Sequence, residues 1–215
     1  MGSKYLEMSP PVAAALKAGT PIVAIETGFF MKLPYPRCME ALEDCEQAFW
    51  RRDCVPCCVA VINGKLKAGL NKNEMELLCG TGGIASRRDI PALVADRLTT
   101  GLNASGAMAV AHMAGIVPVM APGLTDAVSD LDALEKTATI VFCRSVYQDK
   151  SLLFGTHGIP VLDRDSSALS DAYLVQRELE MTESIVVPCG DTLGDIAERA
   201  CSTALDLKKK SVFFR

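Results

Sequence analysis

The chain has 215 residues, 49% of them hydrophobic, with 22 Lys and Arg against 26 Asp and Glu for a net charge of −4. That length holds one domain with a sizeable core, and nothing in the composition asks for a second, so residues 1–215 are read as one unit. The mildly acidic balance offers no electrostatic footprint for nucleic acid or an anionic membrane, which leaves small ligands as the expected partners.

Strand and helix signals alternate along the chain. "SPPVAAALKAG" reads as a first helix, with Ser9 as cap, Pro10 and Pro11 in the first turn and Gly19 closing it. "TPIVAIE" is a fully buried strand of the parallel-sheet type. Arg37 to Arg52 forms a second helix with Met39, Leu42, Cys45 and Phe49 on one face, and "CVPCCVAVINGKLKAGL" is a hairpin turning at Asn63-Gly64. A short helix near Asn73 to Cys79, a glycine-rich connection, a helix from Pro91 to Leu98 and an Ala-rich one from about Asn103 to Ala114 come next. "IVPVMAPG", "ATIVFC", "GIPVLD" and "SIVVPC" are strands, separated by helices over "DAVSDLDALEKT" and Ala168 to Met181, and "DTLGDIAERACSTALDLKKK" is a terminal helix capped by Asp191 or Thr192. The pattern predicts a three-layer α/β/α sandwich with a mainly parallel central sheet and an early β-hairpin.

Between Arg97 and Asp126 no Lys, Arg, Asp or Glu occurs, a length that could cross a membrane. Its Asn103, His112, Pro118 and Pro122 and its many Ala residues fit a buried helix and strand better. The nine cysteines are an odd count with several in apolar runs, and read as reduced, buried, small hydrophobes. Cys54-Val-Pro-Cys57-Cys58 has zinc-like spacing without a second such pair, and the chain has only two His. "MGSKYL" lacks a basic-then-apolar pattern and carries Leu6 where a myristoylation motif needs Ser or Thr, so the expected setting is cytoplasmic.

Ligands of open α/β sheets sit beyond the carboxyl ends of the strands. The segments expected there are Glu26-Thr27-Gly28, Gly80 to Ser86, Pro122 to Asp130, Arg144 to Lys150 and Pro188 to Asp191. Glu26 stands out, because a carboxylate at the end of a buried strand costs several kcal/mol unless it is compensated, on the order known for isolated buried ions. Asn103-Ala104-Ser105-Gly106 opens a helix with small residues, which suits either an anion at the backbone amides or close packing. Asp126 and Asp130, one helical turn apart, suit Mg²⁺ or Mn²⁺, or simply complement the helix dipole. Arg87-Arg88-Asp89 is a solvated charge cluster or an anion clamp. Cys189 would begin the terminal helix in a thiolate-friendly place, but no His is near it in the sequence.

The ordered set "KYLEMSPPVAAALKAGTPIVAIET", "PYP", "VPCCVAVINGKLKAGL", "SRRDIP", "AHMAGI", "DAVSDL" and "GIPVL" resembles the pseudouridine-5'-phosphate glycosidase family, also called indigoidine synthase A-like, from Lys4 to about Asp163. The resemblance implies reversible cleavage of the C–C glycosidic bond of pseudouridine 5'-phosphate to uracil and ribose 5-phosphate. It also implies a trimeric assembly, Mn²⁺ or Mg²⁺ as cofactor, a small phosphorylated sugar or nucleotide as ligand, and no nucleic-acid or membrane partner. Carried onto this chain, the proton-donating Glu is Glu26, the metal-binding Asp is Asp126, the backbone contact to substrate is Ala104, and the substrate segment is Val128, Ser129 and Asp130.

Other positions depart from the family pattern. A substrate-contacting Lys is replaced by Ile84, and a glycine-rich loop is shortened to "APGLT". The late "ANPIP" loop becomes "VPCGD", Val187 to Asp191. The imine-forming Lys is absent from its expected place at Tyr147, and Lys150, followed by Ser151, is the nearest substitute. Losing one charge-assisted contact costs about 1.5–3 kcal/mol, one to two decades in affinity, whereas losing a covalent nucleophile costs roughly 10⁶ in turnover. Lys150 therefore separates an active enzyme from a catalytically inactive relative that binds a sugar phosphate or serves as an assembly subunit.

Overall fold

The computed structural model describes residues 4–81, 83–121, 139–142, 185–188 and 193–211. Strand β1 is Leu6–Met8, helix α1 Pro10–Ala18, β2 Ile22–Glu26, α2 Arg37–Trp50, β3 Val55–Ile62, β4 Lys65–Ala68 and α3 Lys72–Thr81. Then follow β5 Ile84–Ala85, α4 Ile90–Ala95, β6 Thr100–Leu102, α5 Ala104–Ala114, β7 Pro118–Met120, β8 Thr139–Phe142, β9 Ile185–Pro188 and α6 Leu193–Ser211. Single 3₁₀ turns lie at Phe30–Lys32 and Arg87–Asp89.

These strands form one sheet in the order β1-β4-β3-β2-β7-β8-β9, with β6 attached to β3 and β5 to β6. The strands at its centre, β3, β2 and β7, run parallel, as the apolar runs predict. The expected hairpin joins β3 to β4, with Asn63 (φ 50°) and Gly64 (φ 73°) both left-handed, the geometry that makes Asn-Gly favourable at such a turn. The β3–β6, β7–β8 and β8–β9 pairs are antiparallel. Strand β8 is antiparallel to β7, so its carboxyl end, Phe142, pairs with Pro118 at the start of β7 and lies away from the Glu26 end of the sheet; Arg144 to Lys150, expected beyond it, lie outside the described residues. A β-strand in an apolar run looks the same in sequence whichever way it points.

Helices cover both faces of the sheet, which gives the three layers. On one face Cys38, Leu42, Cys45 and Phe49 of α2 and Ala197, Ala200, Cys201 and Ala204 of α6 pack on Val23, Ile25, Cys58 and Ala60. The three- and four-residue spacing explains why both segments are helical, since only that period gathers them on one stripe. Met39 is partly buried beside this stripe and Cys38 fills the position expected for it. Burying Leu42 and Phe49 stabilises the fold by about 1.5–3 kcal/mol each. On the other face α1, α4 and α5 cover Ile22, Ala24, Cys57, Val59 and Val61. Ser9 does hold the N-cap position of α1, but its hydroxyl makes no capping hydrogen bond, while Gly19 closes the helix in left-handed conformation (φ 64°). None of the described helices is long and apolar enough to cross a membrane; as far as residue 121 the uncharged stretch forms β6, α5 and β7. The expected caps Asp191 and Thr192, the strand "GIPVLD" and the helices over "DAVSDLDALEKT" and Ala168 to Met181 lie outside the described residues.

Cys38, Cys45, Cys54, Cys57, Cys58, Cys79 and Cys201 are buried and unpaired by disulfides, and no metal-holding cluster of His, Cys, Asp or Glu occurs among the described residues. Burial pushes the thiols of Cys45, Cys57 and Cys58 upward, and that of Cys79 up to about 12, so they remain protonated. Glu46 of α2 is also driven up, to about 7, by burial, against a hydrogen bond from the Cys58 thiol. Its usual value is 4.5, so between pH 4.5 and 7 the native chain keeps a proton that the unfolded chain has released. Stability therefore falls as pH rises through that window. Glu46→Gln is expected to raise stability by about 3 kcal/mol at pH 8 and by almost nothing at pH 4. Urea titrations at the two pH values check this, and equal effects at both would refute it.

Candidate active site

Alternation along β2 sends Val23 and Ile25 into the α2–α6 layer and Ile22 and Ala24 into the α5 layer, so Glu26 faces the α5 side. Glu26 is 2% exposed and ends the strand, in register with Val59 of β3. One residue further, β3 changes partner. Ala60 and Val61 pair with Gly101 and Thr100 of β6, which occupies the place that β2 has vacated.

The turn leaving β2 is fastened to this junction. The Thr27 hydroxyl donates to the Val59 carbonyl (2.7 Å) and accepts from the Leu102 amide (3.1 Å), while the Gly28 amide donates to the Leu102 carbonyl (2.8 Å). Gly28 is required by space: a Cβ there would lie 2.7 Å from the Leu102 oxygen and 2.9 Å from Cγ2 of Ile84. Ile84 thus sits directly over the turn that follows Glu26, on β5, and is 45% exposed. The position where the resemblance expects a substrate-contacting Lys is at this site and presents a hydrocarbon surface.

Two residues after Leu102, Ala104 begins α5 and is 6% exposed. Asn103 caps the helix: its side-chain oxygen accepts from the Gly106 amide (3.1 Å) and its carbonyl from the Ala107 amide (2.8 Å). The Ala104 and Ser105 amides lie ahead of these in the first turn, where an anion is favoured by the aligned peptide dipoles. The 3₁₀ turn Arg87–Asp89 packs against this end, its Arg87 amide donating to the Ser105 hydroxyl (3.3 Å). Asp89 is committed to a capping box with Ser86, accepting from the Ser86 amide (2.7 Å) and hydroxyl (2.8 Å).

The structure thus brings Glu26, Gly28, Ile84 and Ala104 together. Asp126, Val128, Ser129, Asp130, Tyr147 and Lys150 lie outside the described residues, as do Cys143 and Cys189. Ile25 is in register with Met120, so β7 ends level with the carboxyl end of β2. A separate cleft of about 420 Å³, lined by residues including Glu7, Lys67 and Glu74, opens at the β1–β4 edge and contains none of these residues. Its Lys67 is committed to Glu7 (2.8 Å) and Glu74 (2.7 Å).

Sequence reasoning missed β5 and β6, and it placed Thr27 at the strand end without giving it a role. Strands of two or three residues carry no readable period, and a threonine after a glutamate has no distinguishing pattern. The one available signal was the β-branched pair Thr99-Thr100 before a glycine.

The model of the family described as "Indigoidine synthase A like protein" matches residues 11–162. Three relatives named pseudouridine-5'-phosphate glycosidase come from Hahella chejuensis (31% identity over 86% of this chain and 67% of that protein), Clostridium botulinum (31%, 86% and 70%) and Staphylococcus aureus (30%, 90% and 68%). The chain therefore spans about two thirds of the length of these relatives. Two crystal structures have the same fold at 17% identity. An indigoidine synthase A-like protein of Thermotoga maritima aligns at a TM-score of 0.64, over 97% of this chain and 87% of that one. The prealnumycin C-glycosynthase AlnA, in complex with ribulose 5-phosphate, aligns at 0.60, over 97% and 91%. A match running from the start of α1 to residue 162, supported by sequence identity over most of the chain, means that this chain belongs to the indigoidine synthase A-like family.

Proposed function

We propose that the chain is a glycosidase of the pseudouridine-5'-phosphate type, which reversibly splits the C–C glycosidic bond to give uracil and ribose 5-phosphate. The observation that carries this reading is the buried Glu26, at the carboxyl end of β2 and on the α5 side, in a chain whose relatives bear that enzyme's name. The C–C bond is too stable for simple protonation, so the reading uses covalent catalysis. The Lys150 amine adds to the anomeric carbon and displaces the ring oxygen, which takes a proton from Glu26. The nitrogen electron pair then forms an imine as the bond to uracil breaks, and the electron pair left on the base carbon takes up a proton. Water hydrolyses the imine and returns the amine with ribose 5-phosphate.

The Ala104 amide and the segment Val128, Ser129 and Asp130 hold the phosphorylated sugar. Asp126, Asp130 and Asp132 are hard oxygen donors suited to Mn²⁺ or Mg²⁺ with several retained waters, and Asp126 is the ligand assigned. The bound ion would supply charge stabilisation and orientation. Lys150 follows Phe142 by eight positions, a length of at most about 29 Å when extended, enough to recross a four-residue strand. Ile84 in place of a cation weakens affinity by about one to two decades, so substrate saturation is expected only at high concentration. The proposal includes a homotrimer acting in the cytoplasm.

The test is synthesis from uracil and ribose 5-phosphate with Mn²⁺, the sugar phosphate taken to millimolar concentration. Pseudouridine 5'-phosphate is the expected product. Absence of product, with ribose 5-phosphate binding intact, would replace this reading by that of an inactive binding protein.

A further inference from the structure

We propose that Thr27 is a positioning residue that sets Glu26 against the amino end of α5. Thr27 is fully buried, and its hydroxyl fills the gap left where β2 departs from β3, bonding to the Val59 carbonyl on one side and the Leu102 amide on the other. The Leu102 carbonyl accepts from Gly28, so both polar groups of one peptide position are held by consecutive residues of the Glu26 turn. The lever arms are short. Glu26 is one residue before Thr27, and Ala104 is two residues after Leu102, already inside α5. A hydroxyl is needed, since it must donate and accept at once; valine has the same shape and does neither. Without it, two buried backbone groups lose their partners and β6 can move relative to β2. A displacement of about 1 Å at a reacting centre costs on the order of 10²-fold in rate.

The kinetic part of this inference rests on the proposed activity, so the experiment has a second arm that does not. Thr27→Val is expected to lower kcat by about 10–100-fold with KM changed less than about threefold, and to displace the limb of the pH–kcat profile that Glu26→Gln abolishes. In the same variant the Leu102 amide should exchange with solvent at least about tenfold faster, while amides of Ala24 and Cys57 in the adjoining strands keep their protection. Thr27→Ser, which keeps the hydroxyl, should restore both readouts, and Thr27→Ala serves if the valine variant does not fold. Unchanged kcat or unchanged Leu102 exchange in the valine variant, or a serine variant as impaired as the valine one, would overturn the proposal. If the unmodified chain yields no product, the activity reading fails by itself. The positioning role is then judged on Leu102 exchange, and it falls if that exchange is the same in Thr27→Val as in the parent chain or if Thr27→Ser does not restore it.

Discussion

Borohydride reduction of the chain in the presence of ribose 5-phosphate is expected to trap one sugar on Lys150, and Lys150→Ala to lower turnover by roughly 10⁶, the scale seen when a covalent nucleophile is deleted from an enzyme. An amine forms an imine only in its neutral form, which burial or a neighbouring cation favours by depressing its pKa. In sequence, Arg144 precedes Lys150 by six positions and carries a charge of that sign, whereas the adjacent Asp149 carries the opposite one. The antiparallel course of β8 makes the expectation stringent, because Phe142, eight positions before Lys150, lies at the end of the strand away from Glu26. Peptide mapping by mass spectrometry distinguishes the outcomes. An adduct on a different lysine moves the nucleophile, and no adduct with sugar binding intact removes the covalent chemistry altogether.

Glu26→Gln is expected to lower kcat by about 10²–10⁴, the usual worth of a positioned general acid or base. KM should change little, because the amide keeps the size and shape of the carboxyl group and the Thr27–Leu102 fastening is untouched. The pH–kcat profile should lose one limb. A variant with near-normal turnover would assign the proton transfer to another group.

The fold was legible where periods are long: α1, α2, α5, β2 and the Asn63-Gly64 hairpin occur close to where apolar spacing, proline, glycine and turn residues place them. Strand direction was not, since β7 and β8 are similar apolar runs and their antiparallel pairing is decided by how the intervening chain packs. Within the site, Glu26 could be singled out because a charge at the end of a buried strand is costly. Thr27 and Gly28 could not, because their importance comes from Leu102, 75 positions away from the threonine. That Ile84 touches the Gly28 turn also requires β5 and β6 to be in place.

The seven buried thiols described above give the chain a particular exposure to time. While folded, each is screened from oxidants by burial, so chemical damage waits on opening of the layer that covers it. Every global opening presents several thiols at once, and any oxidation or mixed disulfide formed then prevents repacking, because a polar or enlarged sulfur no longer fits between α2, α6 and the sheet. In an oxidising solution the lifetime of this protein is accordingly governed by the frequency of unfolding, and endurance becomes a matter of the height of the barrier more than of the depth of the native well.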